Sequence, residues 1–446
     1  MGRASWWPSD HYEHPSHRRL HADPVAEHAT SLGLRRNQAI VSASVTMSAV
    51  IRSLSGDCYL FHVSPDGSMS DGGEEIEGTL FLPPGFPYPE LLALGELLEA
   101  ADVLTPGYIP PPVGLCHPDG FIYEKNFEDI KTVLLPDRNV ASRFAQIAKG
   151  VVVDEAVRPV AALLAFSHFL DIEVEPSVAF HELAHKQGNA IANEELAWLR
   201  QADNADAHAK IDVAMGRAER LVGLAAPVSI EELDLAFPLR RWRRNYILTL
   251  KIGELELAGL PHLDRMLALL DWMHRDFIVA GPAAILACIY FAPNSPPRKG
   301  LLKQLQSADR ARAIEGAKNA AWDITHLSDF VHRVNEASDG STRYLFASLD
   351  RNLHYIARSL FDFGADGIRQ DSIVSELGKW WPEPHARAIA ERMAGLFASI
   401  DHPERAAKRP QVAGYVDSLI NSGEAALTQW TPTPSAPKKS NGSPEP

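Results

Sequence analysis

Thr132 to Val140 reads TVLLPDRNV, and Arg343 to Leu353 reads RYLFASLDRNL. Each opens on an apolar run too short for a helix and without the alternation of a half-exposed strand, the pattern of a strand covered on both faces. The first run stops at Pro136 and Asp137 and hands over to the helical pattern NVASRFAQIAKG; the second stops at Asp350 and hands over to RNLHYIARSLF. Two strands that each feed a helix predict an α/β fold around a parallel sheet. In such a sheet ligands gather at the C-terminal ends of the strands, which is where Asp137 and Asp350 fall.

Outward from these strands, about 190 intervening residues carry helical periods, among them VRPVAALLAFSHFL, SVAFHELAHKQGNAIANEELAWLRQA and RRWRRNYILTLKIGELEL. DIEVEP, Asp171 to Pro176, is a short strand candidate inside this region, and NSPPRKG, Asn294 to Gly300, is a loop. Residues 39–130 read as a small α+β unit: CYLFHV and GTLFLP as strands, then PYPELLALGELLEAADVL as a helix entered through Pro89. Residues 361–428 read as a helical C-terminal segment broken at WWPEP. Residues 1–38, with His11, His14, His17 and His21 but no apolar period, read as a flexible arm, and 429–446 as a disordered tail.

The chain has 446 residues, roughly three times a typical domain, so two or three packed units are expected. Hydrophobic residues at 46% and charged residues at 22% exclude a mostly disordered or collagen-like chain. A net charge of −14 excludes a DNA-coating role through a global field, so any nucleic-acid contact needs a local basic patch. Three widely spaced cysteines, Cys58, Cys116 and Cys288, argue against a disulfide framework and for a reducing, cytoplasmic setting. No secretory signal is expected, since MGRASWWPSDHYEHPSHRRLH lacks an apolar core. The longest apolar run, Phe277 to Ala292, falls short of the roughly 20 residues of a spanning helix and reads as a buried helix, with no membrane contact expected.

Two carboxylates at one sheet edge repel unless a cation lies between them, and Mg²⁺ or Mn²⁺ suits all-oxygen ligands. Asp323 is a third candidate. In KNAAWDITHLSDFVHRV the apolar stripe runs through Ala320, Ile324, Leu327, Val331 and Val334, and Asp323 lies at its rim with Asn319 and His326 beside it. Asp329 is expected on the opposite, solvated side. Glu182 is a fourth: with Phe180, Leu183, Ala184 and Ile191 as the apolar stripe, it is expected to face away from the core into a cleft.

A strand followed by Asp-Arg-Asn-Val, a helical glutamate after an extended segment, a helical AWD and a strand running into SLDRNL together resemble the ordered acidic motifs of PIN-like domain nucleases. The resemblance spans residues 131–360 and implies a three-layer α/β/α domain with a parallel sheet and divalent-metal-dependent cleavage of RNA. It implies an acidic cluster of Asp137, Glu182, Asp323 and Asp350, the metal held by Asp137, Asp323 and Asp350, and support from Asn139, Asn319 and Ser348. The roughly 140 residues between Glu182 and Asp323 would add a helical insert, about 186–318, that grips substrate or gates the cleft. Phosphate contacts would come from Arg240, Arg241, Arg243 and Arg244 around Trp242, and next from Arg298, Lys299 and Lys303. An endoribonuclease of this kind also anticipates an inhibitory or regulatory protein partner.

A competing motif overlaps Glu182. His181-Glu182-Leu183-Ala184-His185 is an HExxH string on a predicted helix and resembles the zincin metallopeptidases, whose histidines bind Zn²⁺ while the glutamate serves as general base. A third ligand is then needed; Glu194 and Glu195 fall in what reads as the same helix, and His208 or Glu219 would need a turn to return. A third reading is a non-catalytic helical interaction protein. Walker A, GxGxxG, GxSxG and kinase signatures are absent from the sequence.

Overall fold

The computed structural model describes residues 47–53, 58–63, 76–82, 85–295, 298–337, 340–362, 370–398 and 414–431. The histidine-rich arm, the Gly-rich turn after Leu360 and most of the tail lie outside the described residues, as do the side chains of Cys58, Arg298 and Lys299. The chain divides into two compact units, Met1–Phe86 with Pro111–Val113, and Pro87–Pro110 with Gly114–Pro446. In the first, β1 (Met47–Ser53) pairs antiparallel with β2 (Cys58–Val63) and parallel with β3 (Ile76–Leu82).

The second unit carries the long apolar periods. Its helices are α1 (Tyr88–Ala101), α2 (Pro118–Phe127), α3 (Arg138–Ala148), α4 (Arg158–Phe169), α5 (Ser177–Gln187), α6 (Asn189–Gln201) and α7 (Ala207–Ala214). They continue as α8 (Arg240–Leu257), α9 (His262–Arg275), α10 (Gly281–Phe291), α11 (Arg298–Leu301) and α12 (Arg310–Glu336). Four more follow: α13 (Arg351–Asp362), α14 (Gln370–Leu377), α15 (Glu383–Ala398) and α16 (Tyr415–Gln429). The long apolar run becomes α10, every residue of which is buried, with Pro282 in its first turn where its missing N–H costs nothing. Among the described residues, no helix is long and apolar enough to cross a membrane.

One four-stranded, mostly parallel open sheet organises this unit, in the order β4 (Leu104–Pro106), β7 (Thr342–Ala347), β5 (Lys131–Pro136), β6 (Glu173–Val174). β5 lies parallel to β7 from Lys131↔Thr342 to Pro136↔Ala347, and parallel to β6. Val133, Leu134 and Leu135 are all buried, as are Leu345, Phe346 and Ala347, which is why the two central strands read as continuous apolar runs. The edge strand β4 runs antiparallel to β7, so the sheet recruits residues from before position 131, and α1 and α2 belong to this compact unit and not with the N-terminal strands.

The stretch that reads as one helix from Ser177 to Gln201 is two. Gly188, at φ +96°, closes α5 and opens α6 in a backbone conformation that a residue with a Cβ rarely adopts. Ile191 therefore does not continue the stripe of Phe180 and Leu183; it is exposed while they are buried.

Candidate functional site

The two central strands deliver their acids side by side. The amide of Asp137 donates to the carbonyl of Ala347 at 2.8 Å, extending the β5–β7 ladder one residue past Pro136. Beyond it, Ser348 Oγ donates to Asp137 Oδ2 at 2.6 Å, while Asp137 Oδ1 accepts the amide of Val140 at 2.8 Å and so caps α3. Ser348 Oγ also accepts the amide of Asp350 at 2.9 Å, and Asp350 Oδ1 accepts the amide of Asn352 at 2.8 Å at the start of α13. One hydroxyl thus ties both acids together. Asp137 and Ser348 are buried, and burial raises the Asp137 carboxyl above its ordinary value, against the hydrogen bonds from Ser348 and Val140 and the charge of His326.

Two helices complete the group. α5, entered from β6, carries Glu182, and α12, which leads into β7, carries Asp323 and His326. Glu182 Oε2 lies 3.0 Å from His326 Nε2, and its Oε1 accepts Lys186 Nζ at 2.7 Å. Glu182 does not face a solvated cleft as its place on the helix suggests; it is buried, because His326 and Lys186 satisfy both oxygens. Burial pushes the Glu182 carboxyl up, yet His326 and Lys186 outweigh it and hold the group below its ordinary value. Burial alone would lower His326; Glu182, Asp137 and Asp323 raise it, so the imidazole carries its proton more readily.

Asp323 is the electrostatic centre. Burial first, then Glu182, Asp350 and Asp137, push its carboxyl up to about 7, with His326 opposing them. Every acid named from sequence therefore acts on the same carboxyl. Lys186 and His326 are both hydrogen-bonded to Glu182, so positive partners stand inside the group of four acids. Among the described residues, no three His, Cys, Asp or Glu side chains stand in a preformed metal-ligating arrangement. The donors are nonetheless hard oxygens, and Mg²⁺ is commonly held by one or two carboxylates together with substrate phosphate and water, so the residues present fit such an ion.

An open depression of about 520 Å³ lies against Asp350, lined also by Asn139, Arg143, Leu349, Arg351 and Asn352. Asn139 is exposed and 3.5 Å from Asp137 Oδ2, whereas Asn319 is exposed and has no described hydrogen bond to the cluster. Arg143 and Arg351 are cations beside an acid that the sequence reading passed over. On α8, two of the four arginines read as phosphate contacts form ion pairs within the protein. Arg241 pairs with Asp329 at 2.7 Å, Arg243 pairs with Asp417, and Trp242 is buried; Arg240 is exposed, and Arg244 is partly buried. Asp329 is correspondingly not solvated: Arg333 and Arg241 hold its carboxyl below the ordinary range despite its burial.

The HExxH residues are separately occupied. His181 Nδ1 donates to the carbonyl of Leu235 at 2.8 Å, and the His185 ring packs on Trp242 and Trp322 with centroids 4.4 and 5.7 Å away. Burial lowers His185 below its ordinary value. Of the third-ligand candidates, Glu195 forms a bidentate pair with Arg138 at 2.8 and 3.0 Å, Glu194 lies 3.7 Å from Lys149, and His208 packs on Phe169. His326 is the site residue whose role the sequence did not reveal; the only signal was its spacing three residues beyond Asp323 on the same helix. No family model, curated protein or solved structure matches the chain.

Proposed function

We propose that this chain is a divalent-metal-dependent endonuclease of PIN-like architecture, a three-layer α/β/α domain that hydrolyses phosphodiester bonds in RNA. One observation carries the reading: the Ser348 hydroxyl ties the Asp137 carboxylate at the end of β5 to the Asp350 amide at the end of β7, and Glu182 of α5 joins His326, three residues beyond Asp323 on α12. Burial first, and then Glu182, Asp350 and Asp137, raise Asp323, and like charges gathered beside a carboxyl are a feature of cation-binding clusters. Asp323 and Asp350, with Asp137, would hold Mg²⁺ or Mn²⁺. When bound, the ion supplies Lewis acidity toward the scissile phosphate and an activated water.

The chain's own residues have distinct tasks in this scheme. Ser348 and the Val140 amide fix both oxygens of Asp137, so its orientation is set before substrate arrives. The Glu182–His326 pair holds α5 to α12, and the neighbouring acids make the imidazole carry its proton more readily. Asp323 can take up or release a proton close to neutral pH, the property a general acid or base needs. Arg143 and Arg351 offer guanidinium groups to phosphates entering the depression beside Asp350. A cytoplasmic setting and a protein that silences the nuclease belong to the same proposal.

The test is a matched set of full-length proteins, wild type, Asp350→Asn and His185→Ala, incubated with labelled structured RNA and Mn²⁺, with metal content read by mass spectrometry. Asn retains the cap that Asp350 gives α13 while removing the charge. Cleavage lost in Asp350→Asn and kept in His185→Ala is the expected result. Stoichiometric zinc lost only in His185→Ala, with no cleavage by any protein, would replace the nuclease with the peptidase.

A further inference from the structure

Between β7 and α13 the chain turns through Ser348, Leu349 and Asp350. The Ser348 amide donates to the carbonyl of Val103, just ahead of β4, at 3.1 Å, as the Asp137 amide donates to Ala347 on the β5 side. The Ser348 carbonyl lies beyond the last paired residue of β7, and Ser348 is buried, so this oxygen needs a donor from elsewhere. His354, in the first turn of α13, supplies it: its Nε2 donates to the Ser348 carbonyl at 2.7 Å.

A carbonyl can only accept, so Nε2 carries the ring proton. Burial lowers His354 below its ordinary value and favours the neutral ring, whose Nδ1 is then an acceptor. Thr105 of β4 fits that role, with its hydroxyl 2.8 Å from Nδ1, and so selects the tautomer aimed at Ser348. Thr105 and His354 are both buried, and the ring packs beside Phe346 of β7 with centroids 6.2 Å apart. The consequence lies one residue further on. Ser348 Oγ is the atom that donates to Asp137 Oδ2 and accepts the Asp350 amide.

We propose that His354, oriented by Thr105, is a positioning residue of the acidic edge: it fixes the Ser348 backbone and, through the Ser348 hydroxyl, the mutual placement of Asp137 and Asp350 on which a shared divalent cation would depend. With its amide held by Val103 and its carbonyl by His354, Ser348 presents that hydroxyl between the two acids. Removing a hydrogen-bond partner that orients a metal-binding carboxylate typically costs about 10–100-fold in metal affinity or activity. The effect on the cation rests on the nuclease reading, whereas the effect on Ser348 does not.

The test uses the full chain as wild type, His354→Phe, His354→Gln and Thr105→Val. Phe keeps a ring but donates nothing, whereas Gln can still donate to the Ser348 carbonyl. With labelled RNA and Mn²⁺, His354→Phe should lower kcat and weaken Mn²⁺ binding by about tenfold or more each, with KM for RNA within about twofold of wild type. His354→Gln should stay within about threefold of wild type in both, and Thr105→Val should fall between the two variants. Amide exchange reads the Ser348 step without metal or RNA: the Asp350 amide should exchange at least about tenfold faster in His354→Phe than in wild type or His354→Gln, with β5 and α12 unchanged. A His354→Phe protein with wild-type Mn²⁺ binding, kcat and Asp350 exchange would overturn the proposal, as would a Gln variant as damaged as the Phe variant. Should no protein in the set cleave RNA or bind Mn²⁺, the nuclease reading falls, and the Asp350 amide alone decides whether His354 positions Ser348. Should His354→Phe fail to fold, imidazole ¹⁵N shifts test the same link. Wild type should show His354 protonated at Nε2 alone, and Thr105→Val a tautomer mixture with faster Asp350 exchange; a wild-type ring protonated at Nδ1 alone would contradict the proposal.

Discussion

The two ends of the parallel sheet each hold an acid raised first by burial, and the charges around the two acids differ. At the N-terminal end, Glu124 of α2 accepts Arg343 at the start of β7, Arg343 lies over the Tyr108 ring at 4.7 Å, and the second Glu124 oxygen is buried without a partner. Burial pushes Glu124 up to about 7, with Arg343 pulling it back down and Glu128 adding to the rise. At the C-terminal end, Asp323 reaches the same value through burial and then three further acids, against one histidine. A raised carboxyl is therefore no signature of a site by itself. What separates the ends is the nearby charge: Glu124 pairs with the Arg343 guanidinium, whereas Asp323 has Glu182, Asp350 and Asp137 set against His326.

The sharpest way to break this distinction is catalytic. Asp323→Asn should lower RNA cleavage by about 100-fold or more, within the usual range for an acid–base group, while Glu124→Gln should change it by less than about twofold. Equal losses in single-turnover assays would erase the difference between the two ends. The pH dependence of stability comes next. Both carboxyls have folded values of about 7 above ordinary values of 3.8 and 4.5, so the folded state binds more protons between those limits and stability falls as pH rises from about 4 to 7. Each acid contributes roughly 2–3 kcal/mol to that fall, and Asp323→Asn or Glu124→Gln should remove its share in urea titrations at pH 5 and pH 8.

A third test acts on the paired end alone. Arg343→Met should destabilise the protein by about 3 kcal/mol at pH 8, where Glu124 is left charged and unpaired, and by much less at pH 5.5, where it is protonated. A penalty independent of pH would mean that packing on Tyr108 dominates. The smallest expected effect is His185→Ala: about 1 kcal/mol from lost ring contacts with Trp242 and Trp322, and less than about threefold in cleavage. A larger catalytic loss would return attention to the HExxH string.

Sequence made the acidic edge legible because the two central strands are apolar on both faces and end abruptly, so β5 and β7 and their acids stand out. Asp323 was legible from helical periodicity, which requires no tertiary knowledge. β4 was not, since three residues inside a Pro-rich stretch carry no period. The α5–α6 break was missed because apolar spacing continues past Gly188 and only its positive φ distinguishes it. The Glu182–His326 and Arg241–Asp329 pairs join residues 144 and 88 positions apart, and local pattern holds no information about such pairs. The fastening of residues 233–236 to α5 and α6 was invisible for the same reason, as its hydrogen bonds join backbone to side chains 40 to 54 residues distant.

The proposed cation site requires that charges which a cation would neutralise help to raise Asp323. Carboxyl ¹³C titration of full-length protein labelled at Asp and Glu, assigned through Asp323→Asn and Glu124→Gln and repeated with saturating Mg²⁺, measures this directly. Both midpoints should lie near 7 without metal, and Mg²⁺ should lower that of Asp323 by at least about one unit while leaving Glu124 in place. An Asp323 midpoint unmoved by Mg²⁺ would contradict the cation site and the nuclease built on it.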